Sequence, residues 1–283
     1  MQRNNRLDAI VTYLGAGLVI IIVIAPLLWL FISSISTLSE LLNVPVHWIP
    51  QEPTFERYKQ IIYATGTDSA AVFRRSMLNS FIVASAVTVI CVGFGSLAAY
   101  SFARMNFAGQ GKFLYLMLFS YMLPPIMIMV PLYTIMTDLD LMDSLRGLIM
   151  VYSALIMPFA VWIMRGYFLT IPGELEDAAL IDGCTRLGAL FRVVLPLSAP
   201  GLVATALFCF LASWEEFLLA LVFTSSPAAK TIPVAISEFV GRHAIDFGMM
   251  ATGGVVAAIP PILIALLFQR YLVSGLTSGA VKG

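Results

Sequence analysis

Two adjacent carboxylates, Glu215 and Glu216, interrupt an apolar run in the tetrapeptide Trp214-Glu215-Glu216-Phe217. A charge at the centre of a bilayer costs roughly 2.5 to 3.5 kcal/mol on insertion scales and is kept where it faces a protein interior or a water-filled cavity. Two readings follow. The pair lines or gates a pathway, or the run is tilted or broken and the pair lies near an outer interface. Asn79 and Ser80 near the start of another apolar run, and Tyr100 with Ser101 near its end, line a pathway or hold helices together, and the second is the more common use of such groups.

A second set of acids stands in a polar stretch, Ile171-Pro172-Gly173-Glu174-Leu175-Glu176-Asp177-Ala178-Ala179-Leu180-Ile181-Asp182-Gly183. Its local chemistry predicts two short helices. Pro172 suits a first helical turn, and Glu174, Glu176 and Asp177 put negative charge at the positive end of the helix dipole. Asp182-Gly183 supplies a turn, because glycine reaches positive φ without steric cost. Leu187, Leu190, Phe191 and Val194 then recur at helical spacing from Thr185 to Val194, and Pro196 is expected to end that segment. An amphipathic pair of this kind needs a partner for its apolar face.

Other chemistry finds little support. Cys91, Cys184 and Cys209 form no CxxC pair, and His47 and His243 have no neighbours at ligand spacing, so no metal site is expected. No GxxxxGK[ST] is present, and Gly109-Gln110-Gly111-Lys112 lacks the spacing of a phosphate cradle. No nucleophile, base and orienting group come together in the pattern of an enzyme site.

The elements that must position these residues are read from composition. Of 283 residues, 60% are hydrophobic and 11% charged, too apolar for a soluble globule with a wetted surface. Lys plus Arg equals Asp plus Glu at 16 each, which leaves no net field to attract nucleic acid. Six runs are long enough at 1.5 Å per residue to cross a hydrocarbon core: Ile10 to Ser34, Met77 to Phe102, Phe113 to Met136, Gly147 to Met164, Ser198 to Thr224 and Gly248 to Gln269. The expectation is an all-α polytopic membrane protein with six transmembrane helices, the first retained. Cations favour cytoplasmic N- and C-termini, with Arg3, Arg6, Arg104, Lys112, Arg165, Arg186, Arg192, Arg270 and Lys282 inside, although Arg74 and Arg75 oppose the rule. Three parts follow: residues 1–75 (tail, first helix and outer loop), residues 76–270 (the membrane core with the cytoplasmic loop 165–197), and a tail at 271–283.

Within that loop, Asp177-Ala178-Ala179, three residues, Gly183, nine residues and Val193-Val194-Leu195-Pro196 follow the pattern Glu-Ala-Ala, Gly, Ile-x-Leu-Pro with Asp for Glu and Val for Ile. In this the chain resembles the permeases of binding-protein-dependent ATP-binding-cassette importers. The end from Gln269 to Gly283 looks like the tail of the second permease of maltose-type sugar importers. Related permeases often have Trp-Asn-Asp/Glu-Phe where Glu215 and Glu216 stand, so Glu216 matches the family acid and Glu215 replaces an amide.

The resemblance implies a permease in a bacterial or archaeal cytoplasmic (inner) membrane, working on a carbohydrate or sugar derivative by alternating access. It implies an ATP-binding-cassette ATPase dimer, which holds ATP and Mg where this chain binds no cofactor, a second permease forming a heterodimer, and an extracytoplasmic solute-binding protein. Membrane lipid is a further partner. The ATPase-coupling residues would be Glu174, Glu176, Asp177, Ala178, Ala179, Asp182, Gly183, Leu195 and Pro196, with the small Ala178 and Ala179 allowing close approach. Gly279 and Lys282 in the tail would also touch the ATPase. Lys230, Pro233 and Glu238 would dock the binding protein, and Glu215, Glu216 and Asn79 would belong to the pathway or gate. An ion-gradient-driven secondary transporter is the alternative; its expected mark, similarity between inverted halves, is not visible.

Overall fold

The computed structural model describes residues 5–45, 48–63, 69–239 and 246–280; Arg3, His47, Arg242, His243 and Lys282 lie outside the described residues. Among the described residues every regular element is a helix. In chain order they are α1 (Asn5–Ile35), α2 (Leu38–Leu42), α3 (Glu56–Tyr63), α4 (Ser69–Arg104), α5 (Gln110–Met122), α6 (Pro125–Asp138), α7 (Leu145–Thr170), α8 (Gly173–Ile181) and α9 (Arg186–Ala189). A π segment (Leu190–Val194) leads into α10 (Leu195–Leu197), and α11 (Ala199–Trp214), α12 (Leu218–Phe223), α13 (Ile232–Ser237) and α14 (Phe247–Ala280) complete the chain.

Among the described residues, four helices are long and apolar enough to cross a membrane: Val11–Ile35 within α1, Ser69–Arg104, Leu145–Thr170, and Phe247–Tyr271 within α14. The third expected span is not one helix, since α5 and α6 meet at 95°. Its cause is Pro124-Pro125. A residue before proline is pushed out of the helical region, and Leu123 accordingly turns to ψ 126°, with Pro124 at ψ 129°. The fifth expected span is also interrupted, because α11 stops at Trp214 and helix resumes only at Leu218.

The chain forms two compact units, residues 1–74 with 235–259 and residues 75–234 with 260–283. In the first, Arg57 of α3 donates to the carbonyls of Ser34 and Ser36 at 3.3 and 2.7 Å, tying α3 to the end of α1. Its guanidinium lies over Gly248, where an added Cβ would fall 2.0 Å from Cζ. In the second, α7 is the central element, burying Leu148, Val151, Tyr152, Ala160, Val161, Met164 and Phe168. Ser144 caps it by accepting from Gly147 N–H at 3.1 Å. Gly201 of α11 gives up a side chain so that the Tyr167 ring of α7 can lie on its backbone, 2.2 Å from where a Cβ would stand.

Candidate functional site

The loop from Ile171 to Ser198 holds two helices joined by a glycine turn. Pro172 stands just outside α8 as its N-cap at ψ 133°, not inside the first turn as expected, and Glu174 and Glu176 follow in that first turn. Gly183 has φ +86°, its N–H bonds the carbonyl of Leu180, and the N–H of Cys184 reaches back to Ala179 at 2.9 Å. These are the two bonds of a Schellman motif, which needs a left-handed residue at that position. The second helix starts under a Thr185 cap and passes through Pro196 to Leu197, so the expected stop at Pro196 is corrected. Proline has no N–H to donate and its ring crowds the preceding turn. That turn is widened to π geometry, with Leu195 N–H bonding the Leu190 carbonyl.

The loop's side chains divide into two faces. Leu175, Asp177, Ala178, Ile181, Asp182 and Leu187 are exposed, Ile181 at 86%. Glu176 and Ala179, also expected among the coupling residues, are buried within the chain. Glu176 receives the Tyr100 hydroxyl and lies 3.1 Å from Arg104 Nε, an ion pair that is not aligned as a hydrogen bond. Arg104 also donates to the carbonyls of Phe168 and Ile171 at 3.0 and 2.6 Å, and Arg165 Nε and Gln110 Nε2 both donate to the Phe102 carbonyl. The Tyr100 hydroxyl is also 3.3 Å from the Arg186 carbonyl at the start of α9. One end of α4 thus holds both helices of the loop.

At the break after α11 the two acids part company. Glu216 accepts the amides of Leu219 and Ala220 at 2.8 and 3.0 Å, capping α12, and accepts the Tyr152 hydroxyl at 2.5 Å. Glu215 is exposed. A cavity of about 310 Å³ opens here, lined by Ser120, Tyr121, Pro125, Tyr152, Leu155 and Glu216 among others, where the α5–α6 break meets the α11–α12 break. Backbone groups freed at helix breaks are tolerated at membrane depth when they line such a cavity.

Asn79 is buried and donates to the carbonyls of Pro227, Ala228 and Lys230 at 3.4, 3.1 and 2.9 Å, which anchors that segment to α4. Ser80 accepts Ile232 N–H at 2.8 Å. Asp143 accepts the amides of Ser225 and Ser226, each at 2.9 Å. Burial pushes the Asp143 carboxyl up, but the N–H groups of Ser226 and Ser225 outweigh it and hold the group below the usual carboxylate range. Lys230 and Pro233 are half-buried and Glu238 is exposed on this segment.

The family described as the binding-protein-dependent transport system inner membrane component matches residues 91–278, which includes the whole loop and both breaks. The chain belongs to that family. The permease is 36% identical over 271 residues to the sulfoquinovosyl glycerol transport system permease of Agrobacterium fabrum, covering 96% of this chain and 93% of the relative. It is 36% identical over 283 residues to the trehalose/maltose transport system permease of Thermococcus litoralis, with both chains fully covered. A chain of a bacterial transporter for the import of the acidic polysaccharide alginate has the same fold, with a TM-score of 0.78 at 22% identity over 96% of this permease and 99% of that chain. An ion-gradient-driven carrier is thereby set aside.

Sequence reasoning missed Arg104 and Asp143 as site residues. Arg104 reads as one more cytoplasmic cation, and Asp143 as a loop acid, because their partners are backbone groups far away in sequence. Gly279 falls within α14.

Proposed function

We propose that this permease is one half of the membrane part of an ATP-driven importer for a carbohydrate or sugar derivative, in the cytoplasmic membrane of a bacterium or archaeon. The observation that carries the reading is the loop, where a rigid glycine-turned helix pair exposes Leu175, Ala178, Ile181 and Leu187 on one side and is tied to α4 and α7 on the other. A rigid element passes on a displacement that a flexible loop would absorb. ATP and Mg belong to a separate ATPase dimer that seats this face, with Glu174, Asp177 and Gly183 at the contact and Gly279 and Lys282 in the tail. A second permease completes the pathway as a heterodimer, and a solute-binding protein docks outside on the segment with Lys230, Pro233 and Glu238. The cargo class is supported by the sugar and sugar-derivative names of the relatives. The sequence has six crossings with both termini inside, and the cavity at Tyr152 and Glu216 lies on the cargo's way.

The test is reconstitution of the permease pair with its ATPase in liposomes and addition of a panel of loaded binding proteins. ATP hydrolysis and uptake should rise with a binding protein carrying a sugar or sugar derivative. Uptake driven by a proton or sodium gradient without ATP, or stimulation only by proteins loaded with non-carbohydrate cargo, would reject the reading.

A further inference from the structure

The inner loop and the outer segment are fastened to the same two helices. At the outer end, Asn79 and Ser80 of α4 hold the carbonyls of Ala228 and Lys230 and the amide of Ile232. Asp143, next to the α7 cap Ser144, holds the amides of Ser225 and Ser226. At the inner end, Tyr100 and Arg104 of α4 hold Glu176 of the loop, and Arg104 also holds the last carbonyls of α7. Between these ends the helices run side by side in the same direction. Cys91 faces the Ser153 carbonyl, an added Cβ on Gly95 would lie 3.6 to 3.8 Å from Met157, Val161 and Ala160, and Arg104 faces Phe168. From Asn79 to Arg104 is ~38 Å of continuous helix at 1.5 Å per residue. A close-packed pair of this length has little compressibility, so a push at one end arrives at the other.

We propose that α4 and α7 form a strut clamped at both ends, so that binding-protein docking outside and ATPase closure inside act on one rigid body, with Asn79, Ser80 and Asp143 as the outer positioning residues and Tyr100, Arg104 and Glu176 as the inner ones. The proposal rests on the coupling role given to the loop above. Breaking a serial link at either end interrupts the same signal, so two breaks do no more harm than one, whereas separate structural injuries multiply.

The experiment uses the full importer in liposomes and measures ATP hydrolysis stimulated by loaded binding protein, and transport per ATP hydrolysed, in Asn79→Ala, Arg104→Gln and the double variant, with copurification of the ATPase confirming assembly. Each single variant should lose at least about fivefold of the stimulation, within the usual range of allosteric coupling, and the double should match the worse single. Losses that multiply in the double, or normal stimulation in both singles, overturn the strut. Where a variant does not assemble, Ser80→Ala, Tyr100→Phe and their combination, which remove single polar groups, are judged by the same criteria. Gly183→Val separates this proposal from the one beneath it. If stimulation survives that change, the loop is not the coupling element; if it is lost while the clamp variants remain normal, only the strut falls.

Discussion

At Gly183 one backbone angle closes both hydrogen bonds of the helix turn, and beyond its immediate chain neighbours nothing lies within 4 Å of where a side chain would begin. The cost of a substitution is therefore conformational, roughly 1 to 2 kcal/mol for an L-residue in the left-handed region. Gly183→Val should leave the permease inserted but abolish stimulated hydrolysis, while Gly183→Asn, whose side chain tolerates this region, should keep most of it. Equal activity in the two variants would show that the angle does not matter. This turn was legible in the sequence because Asp-Gly after a helical run has a local meaning. The separate jobs of Glu215 and Glu216 were not, because adjacent identical residues differ only through partners that the chain brings from elsewhere. Glu216→Ala uncaps α12 and strands the Tyr152 hydroxyl, a loss of about 2 kcal/mol from cap and unpartnered-group terms together, visible as a lower melting temperature of the purified permease pair. Glu216→Gln keeps an acceptor and should cost under about 1 kcal/mol. Neutralising both acids to Gln should leave insertion intact and alter transport, and normal uptake in that double variant would make Glu215 an incidental surface acid.

At the scale of elements, the apolar runs found the helices but not their breaks. Length and hydropathy do not distinguish a straight span from one bent by 95°, and the local warning at the first break, Pro124-Pro125, is outweighed when the run is read as a whole. Nor does periodicity reveal that the segment after α12 is held by Asp143, a residue 82 positions away from Ser225. That anchor carries a pH signature. Because the folded carboxyl titrates below its ordinary value, its contribution is present above the ordinary carboxylate range and is lost as pH falls through the lowered folded value. Hydrogen exchange at the amides of Ser225 and Ser226, corrected for intrinsic rates, should lose protection on acidification in the parent. In Asp143→Asn the same amides should be less protected at neutral pH and show no such step. A parent step that persists unchanged in the variant would assign it to another group.

At the scale of the whole molecule, the direction of α4 and α7 constrains how often the chain crosses. The two run parallel, so the 105–144 connection has to return from the Arg104 end, where Gln110 bonds the Phe102 carbonyl, to the Asp143 end, where Ser225 and Ser226 are held. A re-entrant α5–α6 hairpin would come back to the end it left and could not make that return. The same reasoning applies to α11 and α12, which carry the chain from the loop at Ser198 to the anchored segment at Ser225. The proposed six crossings, with Arg186 and Arg192 inside as the cation rule expects, therefore turn on whether α5–α6 and α11–α12 each cross. Labelling with a membrane-impermeant thiol reagent checks this in a background where Cys184 is replaced by serine, Cys91 and Cys209 being buried. In sealed inside-out vesicles, Asp182→Cys and Arg192→Cys should label at once, while Asp140→Cys and Glu238→Cys should label only after detergent is added. Prompt labelling at Asp140→Cys together with protection at Asp182→Cys would mean that α5 and α6 turn back within the membrane, and the coupling loop would then face away from any ATPase.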